Sequence, residues 1–321
     1  MIVVVGCGVA GLTCAVLLAE AGRPVEIWAA ALPPRTTSNV AAAFWYPYGA
    51  FPRDRVLAWA RVSYDRFTAL AGRTDTGVRM HRLLDLYHEP KEQPWWAAAV
   101  PEHRRLAPHE RPAGFADGFV LPSPVVDTRR YLPYLMARFA EAGGRIVQRR
   151  LRSLDEALER APVVINCSGL GARTLVSDPQ VYPIRGQLVH VEAPGITDIL
   201  LDEHGREGLA YVVPRGDHCV IGGTASPHDD DRSTRPAETE GIVDRCARLD
   251  PRIASAPRRA EVVGLRPGRA TVRVEAEPRR EGLVVHDYGH GGAGVTLSWG
   301  CAEEAVRLCG DALPPVAART G

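Results

Sequence analysis

The chain opens MIVVVGCGVAGLTCAVLLAEAGRPVEIWAA, Met1 to Ala30, and this stretch decides the architecture. Ile2–Val5 is a short, mostly β-branched run, which marks a strand buried on both faces in a parallel sheet. Gly6, Gly8 and Gly11 then form GxGxxG, an amphipathic helix runs toward Gly22, and Val25 to Trp28 reads as the next strand. A GxGxxG is weak alone, but between a strand and a helix of one βαβ unit it predicts a dinucleotide site rather than a ligand-free turn. Gly6 permits the tight turn, Gly8 lets a diphosphate approach the backbone, and Gly11 lets helix and strand pack closely. The diphosphate then sits with Val9 and Ala10 at the positive end of the helix. An acid that would hold the ribose is missing, because Trp28 to Ala31 read WAAA and Glu26 comes too early, facing the strand's other side. Ribose recognition is therefore expected from backbone groups, from Arg35 or from the hydroxyls of Thr36 to Ser38.

A second buried strand ends in glycines in VVINCSGLGA, Val163 to Ala172. Two glycine-marked strand ends far apart in sequence suit FAD better than a mononucleotide. Asp127 is expected to cap a helix through about Ala142, and RIVQRRL after it reads as a strand. From Val181 to about Ala256 the texture changes to alternating β segments, QLVHVEA, AYVVPRG and HCVIGGTA. The proline-rich run from Pro90 to Pro124 reads as irregular surface structure, and His228 to Arg232 as a solvated turn. The expected fold is α/β, a Rossmann-like FAD-binding domain (1–48, 127–180 and 259–321) with a discontinuous, mainly antiparallel β substrate domain (49–126 and 181–258).

Composition narrows the partners. A net charge of +1 gives no reason to expect nucleic acid or an anionic membrane. No apolar run approaches spanning length, no basic segment precedes the first apolar run, and the closing VAARTG carries no peroxisomal address. The seven cysteines are odd in number and show no CxxC pair, so no metal site is expected and a reducing, cytoplasmic setting is. Lys91 is the single lysine, which leaves Schiff-base chemistry without a candidate.

Near the C-terminus, VVHDYGHGGAGVTLSWGCA, Val284 to Ala302, holds five glycines and two histidines. With TTSNVAAAFWYPY, INCSGLGA, RGQLVHV and GLRPGR in the same order along nearly the whole chain, it resembles the D-amino-acid oxidase family, with D-aspartate oxidase as the near relative. Asp287 stands where that signature usually has Asn. The resemblance implies non-covalent FAD held, besides the first glycine loop, by Thr36, Thr37, Ser38, Ala42, Ala43, Cys167, Ser168, Gly169, Gly291, Gly292, Gly294, Val295 and Thr296. It implies that Arg266 clamps the substrate carboxylate, that the Tyr211 hydroxyl shares it, and that the Gly292 carbonyl takes the amine. Phe44, Tyr46, Leu200 and Val213 would wall the side-chain pocket.

The implied reaction is hydride transfer from Cα to flavin N5. Neutral and apolar D-amino acids, with oxygen as acceptor, would give 2-oxo acids, ammonia and hydrogen peroxide. His286 and His290 are expected to pack or to bond the flavin rather than act as bases. A second lid tyrosine found in some members is missing from LDEHGREGLAY, which predicts a more open site. Three rivals remain: a D-aspartate oxidase using Arg215 or Arg206 as second cation, a glycine or sarcosine-type oxidase, and a non-catalytic dinucleotide module. A homodimer is left open.

Overall fold

Ile2–Val5 lies inside a six-stranded sheet in the computed structural model, which describes residues 1–192 and 195–313. Its neighbours are Val25–Ala29 and Val163–Asn166, both parallel and in register from Ile2 onward. Arg145–Gln148 extends one edge, and the antiparallel hairpin of Arg273–Arg279 and Gly282–Tyr288 closes the other. Ile2–Val5, Val25–Ala29 and Val163–Asn166 converge here because each is apolar enough to be covered on both faces, whereas Arg145–Gln148 at the edge is partly exposed. The helix Val9–Glu20 is buried along most of its length, so it is a core helix and not the amphipathic one that sequence suggested. It packs on Gly294–Cys309 and on Thr128–Glu141, whose first turn is capped by Asp127 accepting from the Arg129 N–H.

A second, nine-stranded and mainly antiparallel sheet holds the remainder of the fold. Tyr182–Glu192, His218–Gly222, Ala210–Pro214, Ile199–Asp202, Val78–Tyr87 and Asp117–Val126 lie side by side in it, with one parallel step between Ile199–Asp202 and Val78–Tyr87. Three features depart from expectation. The end of the Pro90–Pro124 segment is not irregular surface: Asp117–Val126 is a buried ten-residue strand, its prolines tolerated near the sheet edge. A helix, Pro236–Leu249, covers one face through Ile242, Cys246 and Leu249, although only strands were read there. The strand Arg258–Gly268 pairs along Tyr182–Glu192, so sheet membership puts Arg266 with the antiparallel layer, whereas the expected division gave everything from 259 to the nucleotide domain. The VAARTG terminus lies outside the described residues. Among those residues, no helix is long and apolar enough to cross a membrane.

The two layers are joined by the helix Arg53–Ala71, which packs on Gly294–Cys309. Gly300 is required there, because a Cβ at that position would overlap the Trp59 backbone. Gly300→Ala is expected to destabilise the protein by about 2 kcal/mol, the usual overpacking penalty, read as a lower denaturation midpoint with an unchanged denaturant slope.

Candidate active site

A cavity of about 740 Å³ runs between the sheets from the first glycine loop to Arg266. At its nucleotide end Gly6 has φ +116°, and a Cβ there would overlap the Cys167 carbonyl. A Cβ on Gly11 would overlap the Gly6 carbonyl, so two of the three glycines are fixed by backbone packing. The third, Gly8, faces Ser38, whose Oγ accepts from the Val9 N–H at 3.0 Å. Gly6, Gly8, Val9 and Ala10 line the cavity, and Gly11 stands behind them. Arg35 and Thr36 to Ser38 line it too, joined by Arg149 and Arg150, which sequence did not single out. Arg149 lies over the Trp28 ring at 4.3 Å. Glu26 is turned away as expected, accepting from Trp28 and Arg145.

In the middle of the cavity stand Ala42, Ala43, Cys167, Ser168 and Gly169. The Ser168 Oγ is buried without a partner, a polar atom left for a ligand. Gly291 (φ +54°) turns the chain into Gly294–Cys309. That helix has neither a side-chain cap nor an acid in its first turn. Gly294, Val295 and Thr296 line the cavity, so an uncapped helix N-terminus, a source of partial positive charge, opens on it. The Thr296 hydroxyl is already used: it donates to the Tyr46 carbonyl at 3.0 Å and accepts from the Tyr46 N–H at 3.2 Å. A long cavity with a diphosphate turn, an orphaned hydroxyl and an uncapped helix end suits FAD. These residues would hold it.

At the other end Arg266 Nη1 donates to the Thr224 carbonyl at 2.9 Å. Among the described residues no carboxylate lies within 4.0 Å of this guanidinium. It occupies space over Gly186 that any Cβ would fill. Tyr211 lies over Gly222 in the same way, with its hydroxyl toward Gly223. Burial pushes the Tyr211 hydroxyl up to about 12, with Arg266 pulling the other way, so it is a neutral donor at any working pH. Gly292 completes the group: a Cβ there would stand 2.7 Å from Tyr48 Cδ1 and 3.7 Å from Arg266 Cδ.

The comparisons with known proteins agree with this geometry. A family described as FAD dependent oxidoreductase matches residues 1–308. The chain belongs to this family. It is similar to the D-amino-acid oxidase of Rubrobacter xylanophilus, 48% identical over 97% of this chain and 96% of the relative. A human D-aspartate oxidase is 34% identical over 96% and 94%. The glycine oxidase of Geobacillus kaustophilus has the same fold, with a TM-score of 0.81 over 96% of this chain and 93% of its own, at 22% identity.

Two pocket residues expected from sequence stand outside the cavity of this FAD-dependent oxidoreductase. Leu200 packs on the opposite face of the sheet with Leu84 and Val212. Its neighbour Leu201, the cross-strand partner of Tyr211, lines the cavity instead. Strand alternation explains the one-residue difference. Val213 shares the face of Tyr211 but is sealed in the core. Phe44 and Tyr46 line the cavity as expected, and Tyr48 and Leu209 join them. Arg232, read as part of a solvated turn, is a lining residue as well. Arg215 is buried elsewhere, donating to Asp127 at 3.1 Å and to the Ala41 and Ala42 carbonyls, and neither it nor Arg206 borders the cavity. His290 lines the cavity with Nε2 3.0 Å from Asp287, whereas His286 is held away from it by Glu277 and Asn166.

Behind Tyr46 lies Asp85, fully buried, with Oδ2 accepting from Tyr87 at 2.6 Å and Trp96 at 2.9 Å while Oδ1 is unpartnered. Burial outweighs these donors and pushes its carboxyl up to about 7. The folded state therefore holds this proton more tightly than the unfolded chain, whose Asp titrates near ~3.9. The stabilisation is complete below about pH 4 and is lost as pH rises through 7. Relative to Asp85→Asn, the wild type is expected to lose a few kcal/mol of unfolding free energy between pH 5 and pH 8, measured by denaturant titration.

Proposed function

We propose that the protein oxidises D-amino acids to 2-oxo acids, ammonia and hydrogen peroxide, with FAD as cofactor and oxygen as acceptor. The observation that carries this reading is Arg266, a cavity-lining guanidinium with no acidic partner among the described residues. A cation in a partly buried site needs an anion. Here the space beside it is shared with a neutral phenol and a glycine loop, which fits an α-carboxylate. Several relatives that match nearly the whole chain are named D-amino-acid oxidase, including those of Rubrobacter xylanophilus and Streptomyces coelicolor.

Arg266 binds the carboxylate through a charge-assisted, forked pair, and the Tyr211 hydroxyl donates to the same group. The Gly292 carbonyl accepts from the neutral amine, and its missing side chain leaves room for the Tyr48 ring packed against it. Three attachments fix Cα, so no side-chain base is needed and positioning supplies the catalysis. Phe44 and Tyr46, with Leu201 and Leu209, exclude water around the substrate side chain. When bound, FAD supplies the two-electron acceptor for the hydrogen lost from Cα. The uncapped N-terminus at Gly294 contributes fixed positive potential at that end of the cavity. The pocket's apolar rings support neutral and apolar side chains over a broad range. A second cation of the kind D-aspartate oxidase would need is not supplied by Arg215 or Arg206. Seven free, buried cysteines support a reducing, cytoplasmic setting. Self-association as a homodimer is a question for light scattering.

The test is the anaerobic visible spectrum of the holoenzyme. Bleaching of the flavin band by D-alanine and not L-alanine is expected; bleaching by neither would overturn the reading. Arg266→Ala should lower kcat/KM for D-alanine about 10²–10³-fold with the flavin spectrum retained, the loss expected when one partner of a buried charge pair is removed.

A further inference from the structure

Behind the apolar wall at the side-chain end of the cavity stand two carboxyl groups, Asp85 and Glu203, both within reach of the Tyr46 hydroxyl. Tyr46 presents its ring to the cavity and its hydroxyl away from it, donating to Glu203 Oε2 at 2.8 Å. Asp85 Oδ2 lies 3.3 Å from the same hydroxyl. One phenolic proton cannot serve both, and the shorter distance assigns it to Glu203. Tyr87 and Trp96 serve Asp85, so Tyr46 is held in place between two carboxyl groups.

Glu203 begins the turn 203–209 that joins Ile199–Asp202 to Ala210–Pro214. The residues flanking this turn, Leu201 and Leu209, both line the cavity, and the Glu203 side chain is 18% exposed. An aromatic path leads to it from the carboxylate clamp: Tyr211 to Phe44 at 5.8 Å between centroids, then Phe44 to Tyr46 at 6.4 Å. Its field also reaches Tyr48, the ring against Gly292: burial raises the Tyr48 hydroxyl, Arg266 opposes, and Glu203 adds to the rise. Among the described residues the ion-pair partner within reach of Glu203 is the exposed His204 imidazole, at 4.0 Å. Arg215 is committed to Asp127, and Arg266 to the α-carboxylate.

We infer that Glu203, anchored by Tyr46, makes the side-chain end of the cavity negative and sets specificity among long D-amino acids, favouring cationic and neutral side chains and refusing acidic ones. This rests on the oxidation proposed above and deepens it. A substrate carboxylate reaching past Phe44 would face a like charge in a partly dry pocket, where repulsion over several ångströms is worth more than a factor of ten. An ammonium or guanidinium reaching the same distance would be attracted by that charge, felt from behind Tyr46.

The experiment compares kcat/KM of the wild-type holoenzyme and Glu203→Gln on two pairs of matched shape, D-glutamine with D-glutamate and D-lysine with D-norleucine. Ratios taken within one preparation cancel any loss of folded enzyme, and D-alanine turnover in the same preparation reads the reaction itself. The wild type should prefer D-glutamine over D-glutamate by more than about tenfold. In Glu203→Gln that preference should shrink several-fold, and the D-lysine to D-norleucine ratio should fall. A wild type that oxidises D-glutamate as well as D-glutamine would overturn the assignment and point to Arg232 as a counter-cation. Ratios unchanged by the substitution would overturn it as well.

Discussion

The site depends on one close approach between the two sheets. Gly292 comes from the loop that leaves the parallel sheet, and Arg266 and Tyr211 come from strands of the antiparallel one. The missing side chain of Gly292 lets the Tyr48 ring press against the loop, with the Arg266 stem at ordinary contact distance beside it. The same economy of space repeats around the clamp, at Gly186 beneath Arg266 and at Gly222 beneath Tyr211. Each glycine sets a side chain by letting it lie flat on backbone. A guanidinium and a phenol seated in this way have little freedom left to lose when substrate arrives, which is what catalysis by positioning requires.

Much of the nucleotide half was legible in the sequence. Ile2–Val5 and Val163–Asn166 are uninterrupted apolar runs followed by glycine, a pattern that admits few folds, and the structure places them side by side and parallel. Arg266, Tyr211 and Gly292 were found through the resemblance of their motifs and not from residue type, since arginines elsewhere in the chain form surface ion pairs. What sequence did not give depends on facing. Leu200 and Leu201 are equally apolar, and only the register with Tyr211 tells which one turns to the cavity. Tyr48 was passed over because it sits after a proline in a stretch of aromatics with no period. Asp117–Val126 was hidden by Pro122 and Pro124, which read as strand breakers although its sheet partners tolerate them. Pro236–Leu249 was missed because its apolar positions are thinly spread among charges.

Two groups that line the cavity lack the partners a folded chain usually supplies. Ser168 Oγ in the middle of the cavity and the acid-free guanidinium of Arg266 at its end are both unfavourable in an empty protein. Some buried charges are met fully within the chain: Arg185 by Glu238, Gln187 and two backbone carbonyls, and Asp178 by Arg269 and Tyr288. An unpartnered atom alone does not mark a site, since Asp202 Oδ1, Arg215 Nε and His218 Nε2 are unpartnered too; what sets Arg266 apart is that it lines the cavity and meets no carboxylate among the described residues. Arg185 differs from it in this, although both lie in or pair along the same strand.

Asp85 and Glu203 extend that distinction to the carboxylates. Asp85 takes several donors on one oxygen and keeps the other unpartnered, yet it touches the cavity only through Tyr46. Glu203 has one strong donor and stands in a turn whose neighbours line the cavity. An ionised carboxylate in so apolar a place raises the cost of ionising the other, and the hydroxyl between them screens only one at a time. When Asp85 is protonated, Glu203 carries the charge that a substrate side chain meets; when both ionise, the wall becomes more negative still. The sign at that end is therefore set by Glu203, and its magnitude changes with Asp85. A pocket lined by phenylalanine, leucine and tyrosine is apolar by composition and acidic by what stands behind its tyrosine.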